Sequence, residues 1–395
     1  MILLAAILFW GCAALLVYTH LGYPLVLAVL VRMRRFTPRG RAGRPGAGAG
    51  SYPSLILSGP AGAGDLPAVS LIVPAYDEEE VIAAKVANCL ALDYPRQRLQ
   101  VIVASDGSAD ATVERAREAG ADLVLDLPAG GKVVALNAAA EQASGELLAF
   151  SDANSVWATD ALIHLLGPFA DPGVGYVCGQ VRFTDAGGDN LEGAYWRYEM
   201  AVREMESALA GVTAGNGAIY AVRREEYLPL APSGSHDLSF PFELAKRGRR
   251  SLYASSARAV EKMVPTMEGE FARKRRMMVG LWDIVVGERM VSRGYPGLYA
   301  FELFSHRLLR YLSPLLHVVL FLANLALLGE GWIYVLAFFF QLALLGAALL
   351  GRESKLLPLR VARYYVMTTA SIAAGLWDRR RSGPPGRWEK PEGTR

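Results

Sequence analysis

Thiols are scarce in this chain. Its three cysteines, Cys12, Cys89 and Cys178, are scattered along the sequence. That excludes a disulfide framework and any thiol-spaced metal site, and a reducing compartment suits the region holding Cys89 and Cys178. Excess charge is also lacking. A net charge of +3 over 395 residues gives no reason to expect a nucleic-acid partner. No basic residue precedes the first apolar run, Ile2 to Val31, as a cleaved signal peptide would want.

Apolar residues are abundant. They make up 52% of the chain, and the mean hydropathy is +0.23, which directs attention to membrane segments. At ~1.5 Å per residue, Ile2 to Val31 is long enough to cross a ~30 Å hydrocarbon core. Arg32, Arg34, Arg35, Arg39, Arg41 and Arg44 follow it and place that end in the cytoplasm. Two further apolar spans, Tyr311 to Leu328 and Trp332 to Leu350, read as a transmembrane hairpin. His306, Arg307 and Arg310 precede it and Arg352, Lys355, Arg360 and Arg363 follow it. Tyr364 to Trp377 is shorter, with Arg379, Arg380 and Arg381 after it. It reads as an interfacial helix or a short span.

Between these ends the sequence alternates strand and helix patterns. Strands are expected at Val69–Val73, stopped by Pro74, at Leu99–Ala104, at Asp122–Leu127, and in the run Glu146–Phe150 that leads to Asp152. Helices are expected over Asp77–Leu92, Val113–Ala119 and Val133–Ala143. Val174–Val181 and Gly217–Val222 read as later strands, with Tyr195–Met205 a helix between them. Such alternation is the signature of a mostly parallel α/β sheet covered by helices. The division is a transmembrane helix (1–31), a flexible Gly- and Pro-rich linker (32–67), an α/β domain (68–265) and amphipathic interfacial helices (266–310). A transmembrane hairpin (311–350) and an interfacial or short membrane helix with a cytoplasmic tail (351–395) complete it. The apolar Leu55-Ile56-Leu57 inside the linker has no evident role.

Open α/β sheets bind ligands beyond the carboxyl ends of their strands, and polar groups stand at several of those ends. Asp152 and Asn154 follow one strand. A carboxylate and an amide at that spacing can face one hard cation, Mg²⁺ or Mn²⁺, shared with substrate phosphates. The competing role is to shape the turn before the helix near Asp160. Tyr76 can stack on a base, and Asp106 sits in the turn Ser105-Asp106-Gly107-Ser108. Lys132, after Gly131, can meet a diphosphate. Taken singly, each has an ordinary role as turn, cap or solvated cation; taken together they converge on one edge.

As a set, these residues resemble the family 2 glycosyltransferases of GT-A fold. The segments are Pro74-Ala75-Tyr76-Asp77-Glu78, Ser105-Asp106-Gly107-Ser108, Gly131-Lys132 with Ala135-Leu136-Asn137, Asp152-Ala153-Asn154, Gly215-Asn216-Gly217-Ala218, and His236-Asp237 with Phe242 to Gly248. The resemblance runs from about Val69 to Arg276. It is similar above all to membrane-anchored members that build bacterial exopolysaccharides, and distantly to cellulose and hyaluronan synthases. It implies that Pro74, Ala75, Tyr76, Glu78 and Asp106 hold the nucleoside, that Asp152 and Asn154 hold the metal, and that Asp237 is the catalytic base. Lys132, Asp152, Arg273 and Arg276 would serve the diphosphate; Gly215, Asn216, Gly217 and His236 would line the acceptor side.

The departures are informative. Asp77 stands for the usual Asn, Asn154 for the second acid of D-x-D, and His236 for the first acid of the pair. The Q-x-x-R-W motif of processive synthases is absent; Arg273, Arg276 and Met277 stand near its place. Attraction to anionic lipid, ~1 kcal/mol per basic residue, is the other reading of that cluster. The resemblance therefore implies an inner-membrane, multi-pass inverting enzyme with a cytoplasmic catalytic domain. It would transfer sugar from a UDP- or GDP-type donor to a lipid-linked or growing polysaccharide, without processivity, alongside polysaccharide assembly partners. A polyprenyl-phosphate transferase and a degenerate assembly scaffold are the alternatives. Glu243 is expected to form an exposed pair with Arg247 inside the helix after Asp237.

Overall fold

Alternate residues of the same strands serve two different cores. Leu71, Val73, Val101 and Val103 belong to one, Ile72, Ile102, Ala104 and Phe150 to the other. A strand covered on both faces must be apolar throughout, which is why these strands read as unbroken hydrophobic runs. The computed structural model describes residues 1–36, 66–184, 191–262, 266–352, 354 and 356–383. Most of the linker, with Arg39, Arg41, Arg44 and Leu55–Leu57, lies outside the described residues, as do Lys355 and the end of the tail.

The strands are β1 (Val69–Ala75), β2 (Leu99–Asp106), β3 (Leu123–Leu127), β4 (Leu147–Phe150), β5 (Val156–Trp157), β6 (Val174–Thr184), β7 (Tyr220–Arg223) and β8 (Arg250–Lys262). They form one sheet in the order β3-β2-β1-β4-β7-β6-β8-β5. β1, β2, β3 and β4 are parallel. β7 is antiparallel to both β4 and β6, and β6 is parallel to β8. β4, β6 and β8 therefore all point the same way, towards one edge.

The helices are α1 (Ile2–Val17), α2 (Tyr23–Phe36), α3 (Ile82–Leu90), α4 (Thr112–Glu118), α5 (Lys132–Gln142), α6 (Ala161–Leu166), α7 (Leu191–Leu209) and α8 (His236–Lys246). They are followed by α9 (Met267–Val279), α10 (Gly297–Glu302), α11 (Leu309–Ala326), α12 (Trp332–Leu350) and α13 (Leu357–Ser382). Ile82, Val86 and Cys89 of α3 and Leu162 and Leu165 of α6 pack on one face. Ala135, Leu136 and Ala139 of α5 with Phe240 and Leu244 of α8 pack on the other.

Several expectations shift. Pro74 does not stop β1, which continues to Ala75 opposite Ser105. The β1–β4 ladder ends at Ile72–Phe150, so the N–H that Pro74 lacks faces a side where β4 has already turned away. The helix expected from Asp77 begins at Ile82. Asp77 instead has a left-handed backbone, φ 49°, and side chains from the facing loop take the N–H groups of Asp77 to Glu79. β8 was not foreseen: its alternation is diluted by Ser, Ala and Arg. The expected helix Tyr364–Trp377 extends over Leu357–Ser382, with a Pro in its first turn and Gly383 closing it.

Among the described residues, three helical runs are long and apolar enough to cross a membrane: Ile2–Arg34, Gly297–Ala326 and Trp332–Leu350. Ala5, Phe9, Cys12 and Leu16 pack on Leu320, Ala323 and Leu327. Farther along, α2 meets the α/β domain. Tyr23 and Leu27 are fully buried against Val202 of α7, and the Tyr23 hydroxyl donates to Glu206 Oε1 at 2.7 Å.

Candidate active site

The register of the sheet gathers the polar groups. Ala75 pairs with Ser105, so Tyr76 and Asp106 leave adjacent strands together. Phe150 pairs with both Ile72 and Tyr220, which brings Asp152 beside the turn that precedes β7. The Gly215–Gly217 segment enters from that side. A Cβ on Gly217 would lie 3.4 Å from Asp152 Oδ2 and 3.5 Å from Lys132 Nζ.

Asp106 is buried, and its carboxylate accepts from the N–H groups of Gly130 at 2.7 Å and Gly131 at 2.9 Å. Gly131 has φ 95°, where side-chained residues are strained, and the next residue, Lys132, opens α5. Asp106 thus fixes the loop that delivers Lys132. The Lys132 ammonium pairs with Asp152 Oδ1. Burial alone would lower its pKa, but the Asp152 carboxylate, with the charges of Asp237 and Glu261, more than offsets this and raises it.

The Asp77–Glu79 loop is clasped to the loop after Asp106. Its N–H groups donate to Ser108 Oγ at 3.0 Å, Thr112 Oγ1 at 2.7 Å and Asp110 Oδ2 at 3.1 Å, and Asp77 Oδ1 accepts from Ala109 N–H at 2.8 Å. Glu78 is buried in this clasp. Pro74 and Ala75 lie in β1 and Tyr76 is half-buried just beyond it.

On the other side, Asn216 is buried with both ends of its amide used. Nδ2 donates to Gly179 O at 2.7 Å, and Oδ1 accepts from Ile219 N–H at 3.0 Å. Gly215 has no room for a side chain: a Cβ would fall 1.8 Å from the Tyr176 hydroxyl. Its N–H donates to Asp237 O at 2.6 Å, so this glycine ties β7 to α8. His236 sits in an aromatic nest of Phe150, Tyr220, Tyr227 and Phe240. Its Nδ1 is 2.7 Å from the Tyr220 hydroxyl. Burial, then the Lys132 charge, holds its pKa down at about 3, so the ring is neutral.

Asp237 was expected in the loop before a helix. It lies within the first turn of α8, one residue past His236, and accepts from the Ser235 hydroxyl. Ser235 stands at the N-cap position, with its hydroxyl turned to the Asp237 carboxylate and not to the backbone of the first turn. Asp237 is near enough to Lys132 for its charge to act on that ammonium. Glu243 pairs with Lys246 at 2.7 Å, three residues on, in place of Arg247. Arg273 is held by Glu270 of its own helix through two 2.7 Å bonds, and Arg276 lies on the same helix, α9.

Two charged residues escaped the sequence reading. Lys85 is buried on α3 and donates to Ser151 Oγ at 2.7 Å and Ser155 O at 2.6 Å. It holds the turn that carries Asp152, and burial lowers its pKa. A lysine inside the apolar stripe of Ile82, Val86 and Cys89 was the available signal. Glu261, at the end of β8, carries an Oε1 atom sealed from solvent without a hydrogen-bond partner. Burial, then the Asp152 charge, pushes its carboxyl up to about 7. Nothing local in the sequence marks it.

Among the described residues no three His, Cys, Asp or Glu side chains are gathered to hold a metal. The donors do fit a hard cation shared with phosphate. The Asp152 carboxylate faces a cationic ammonium, and the orphaned Glu261 oxygen lies in the same charged cluster.

Residues 70–228 match the profile described as Glycosyl transferase family 2, and the match contains the strand ends that carry Tyr76, Asp106, Lys132, Asp152 and Gly217. Residues 70–228 thus carry a family 2 glycosyltransferase domain. A Beta-monoglucosyldiacylglycerol synthase of Trichormus variabilis is 30% identical over 260 residues, 58% of this chain and 54% of that protein. The chain thus spans about half the length of this curated relative. A Poly-beta-1,6-N-acetyl-D-glucosamine synthase of Staphylococcus aureus is 31% identical over 126 residues, 31% of this chain and 30% of that protein. A mannosyltransferase of Pyrobaculum calidifontis, solved with GDP-Man and Mn²⁺, shares the fold. Its TM-score is 0.68 at 23% identity, covering 94% of this chain and 98% of that one. The glycosyltransferase domain therefore has the GT-A fold, with apolar helices at both ends long enough to span a membrane.

Proposed function

We propose that this protein is an inverting, nonprocessive glycosyltransferase. It moves a sugar from a nucleoside-diphospho-sugar to an acceptor held at the cytoplasmic face of the bacterial inner membrane. The observation that carries the reading is the Lys132–Asp152 pair at the strand ends, with Gly217 beside it and the Asp237 charge acting on the same ammonium. Tyr76 and the clasped Asp77–Glu79 loop offer a face and N–H-rich backbone for the nucleoside, and Asp106 orders the loop that carries Lys132. Lys132 turns from Asp152 to the diphosphate when donor binds.

Asp237 takes the proton of the acceptor hydroxyl. The freed oxygen forms its bond to the anomeric carbon on the face opposite the diphosphate, the old C–O bond breaks, and the nucleoside diphosphate leaves with the electron pair. Lys132 neutralises charge on that leaving group. Asp152 and Asn154 would hold a divalent cation, which supplies further positive charge beside the diphosphate when bound. The acceptor is a lipid-linked or growing polysaccharide, since the apolar helices pack directly on the domain beside the acceptor side. The relatives that act on a diacylglycerol lipid and on a polymer are consistent with an acceptor of this kind.

The test is product analysis of the full chain in lipid, supplied with UDP- and GDP-sugars and membrane acceptors, with Asp237→Asn alongside. General bases contribute about 10²–10⁴-fold. Asp237→Asn is expected to cut turnover by that order and leave donor affinity near normal, while Glu243→Gln keeps activity. A dead Glu243→Gln with an active Asp237→Asn would overturn the assignment, and no transfer from any donor would favour a scaffold.

A further inference from the structure

Asp152-Ala153-Asn154 offers a hard cation one carboxylate and one neutral amide. Divalent cations that sit beside diphosphates prefer oxygen ligands with negative charge. The fold brings a second carboxylate to the same place. The chain leaves β4 at Phe150, passes through Asp152 and Asn154, and returns as β5, whose Val156 pairs antiparallel with Val260 of β8. The next residue of β8 is Glu261. The pairing therefore sets Glu261 opposite Ser155, one residue from Asn154. β8 also runs in the same sense as β4, so its carboxyl end reaches the edge where Asp152 stands.

The surroundings of Glu261 are unusual for a structural acid. Its Oε1 is sealed from solvent and makes no hydrogen bond, a state that is unfavourable for a buried polar group. The charges acting on it are Asp152, Lys132, Arg273 and Lys85. Of these, Lys132 is paired to Asp152, Arg273 to Glu270, and Lys85 to Ser151 and Ser155. A carboxylate oxygen held without a partner beside another carboxylate is explained if a cation joins them.

We propose that Glu261 is a ligand of the divalent cation, supplying the second carboxylate that Asn154 does not. This rests on the reading of Asp152 as a metal-holding residue. A cation between the two carboxylates would satisfy the orphaned Oε1, remove the repulsion between them and release Lys132 for the diphosphate. It would also couple β8, outside the matched family segment, to donor binding.

The experiment is Mn²⁺ titration of the full chain in lipid nanodiscs with UDP or GDP present, read by electron paramagnetic resonance of free Mn²⁺. Glu261→Gln keeps the shape of the side chain and is expected to weaken Mn²⁺ by at least about tenfold, the lower bound for disturbing even a ligand's outer partners. Asn154→Asp added to Glu261→Gln is expected to recover the affinity, which a folding defect would not allow. Parent-like Mn²⁺ affinity in Glu261→Gln, with Asp152→Asn losing it, would overturn the role of Glu261 and leave Asp152 in place. If the parent binds no Mn²⁺ with either nucleotide, the reading of Asp152 falls and that of Glu261 with it.

Discussion

His236 shows how a single position can look like chemistry and be held by packing. It stands next to Asp237, where a second acid is expected by resemblance, yet four aromatic rings surround it and its Nδ1 meets the Tyr220 hydroxyl. Its folded pKa of about 3 lies below the ~6.5 of an unfolded histidine. Between about pH 6.5 and 3 the unfolded chain binds the extra proton. The stabilisation from keeping His236 neutral is thus complete above about pH 6.5 and is lost as pH falls through that window, by up to about 1.4 kcal/mol per unit. Denaturation midpoints at pH 7 and pH 5 are expected to fall more steeply in the parent than in His236→Gln. Equal slopes would show that the ring titrates normally in the fold.

At the scale of elements, the amino end of α5 depends on a residue from another strand. Asp106 at the end of β2 accepts from Gly130 and Gly131, and those N–H groups precede the helix that begins with Lys132. Hydrogen bonds to a charged group contribute about 1.5–3 kcal/mol. Asp106→Ala is expected to lower stability by about that amount and to weaken nucleotide binding, since Lys132 loses its fixed approach. Urea denaturation and nucleotide titration of the same preparation check both. Normal nucleotide affinity in a destabilised Asp106→Ala would separate the loop from donor binding. The α9–α13 pair is a second such dependence. Arg363 reaches Glu268 and Arg379 reaches Asp283, and a Cβ on Gly375 would lie 2.5 Å from Met278 Cβ. α13 thus lies directly on α9 and the turn after it.

Over the whole molecule, the packing of the apolar helices constrains their sense. Ala5 and Phe9 of α1 share a cluster with Leu327 and Tyr334, at the far end of α11 and the start of α12. Tyr18 instead lies 2.9 Å from Ser305, before α11. α1 and α11 are therefore antiparallel. Three crossings by these helices would put Met1 and Glu330 on one side and the glycosyltransferase domain with α13 on the other. The lower half of this arrangement is polar inside: Glu206 meets His306 at 2.6 Å, and Arg307 donates to Thr213 Oγ1 at 3.0 Å. Single-cysteine labelling from outside is expected at Met1 and Glu330 and absent after Gly383. Equal labelling of Met1 and Gly383 would show that the chain does not cross three times.

By itself, the sequence determined the α/β class, the strand ends at Tyr76, Asp106 and Asp152, and the apolar runs. These are signals carried by neighbouring residues: hydrophobic periodicity, turn-forming Gly and Asp, and length against the thickness of a bilayer. Only the tertiary structure decided the rest. Asp77 reads as the first turn of a helix until the Ser108–Thr112 loop takes its backbone N–H groups. Asp237 reads as a loop residue, yet α8 begins ahead of it and its carbonyl takes the Gly215 N–H. Lys85 and Glu261 bear no local mark of the site, because what places them is contact with Ser151 and the pairing of β8 with β5. Those contacts join residues ~65–105 apart in sequence. A residue's role there depends on which distant charge shares its low-dielectric surroundings, and that is set by strand order and register.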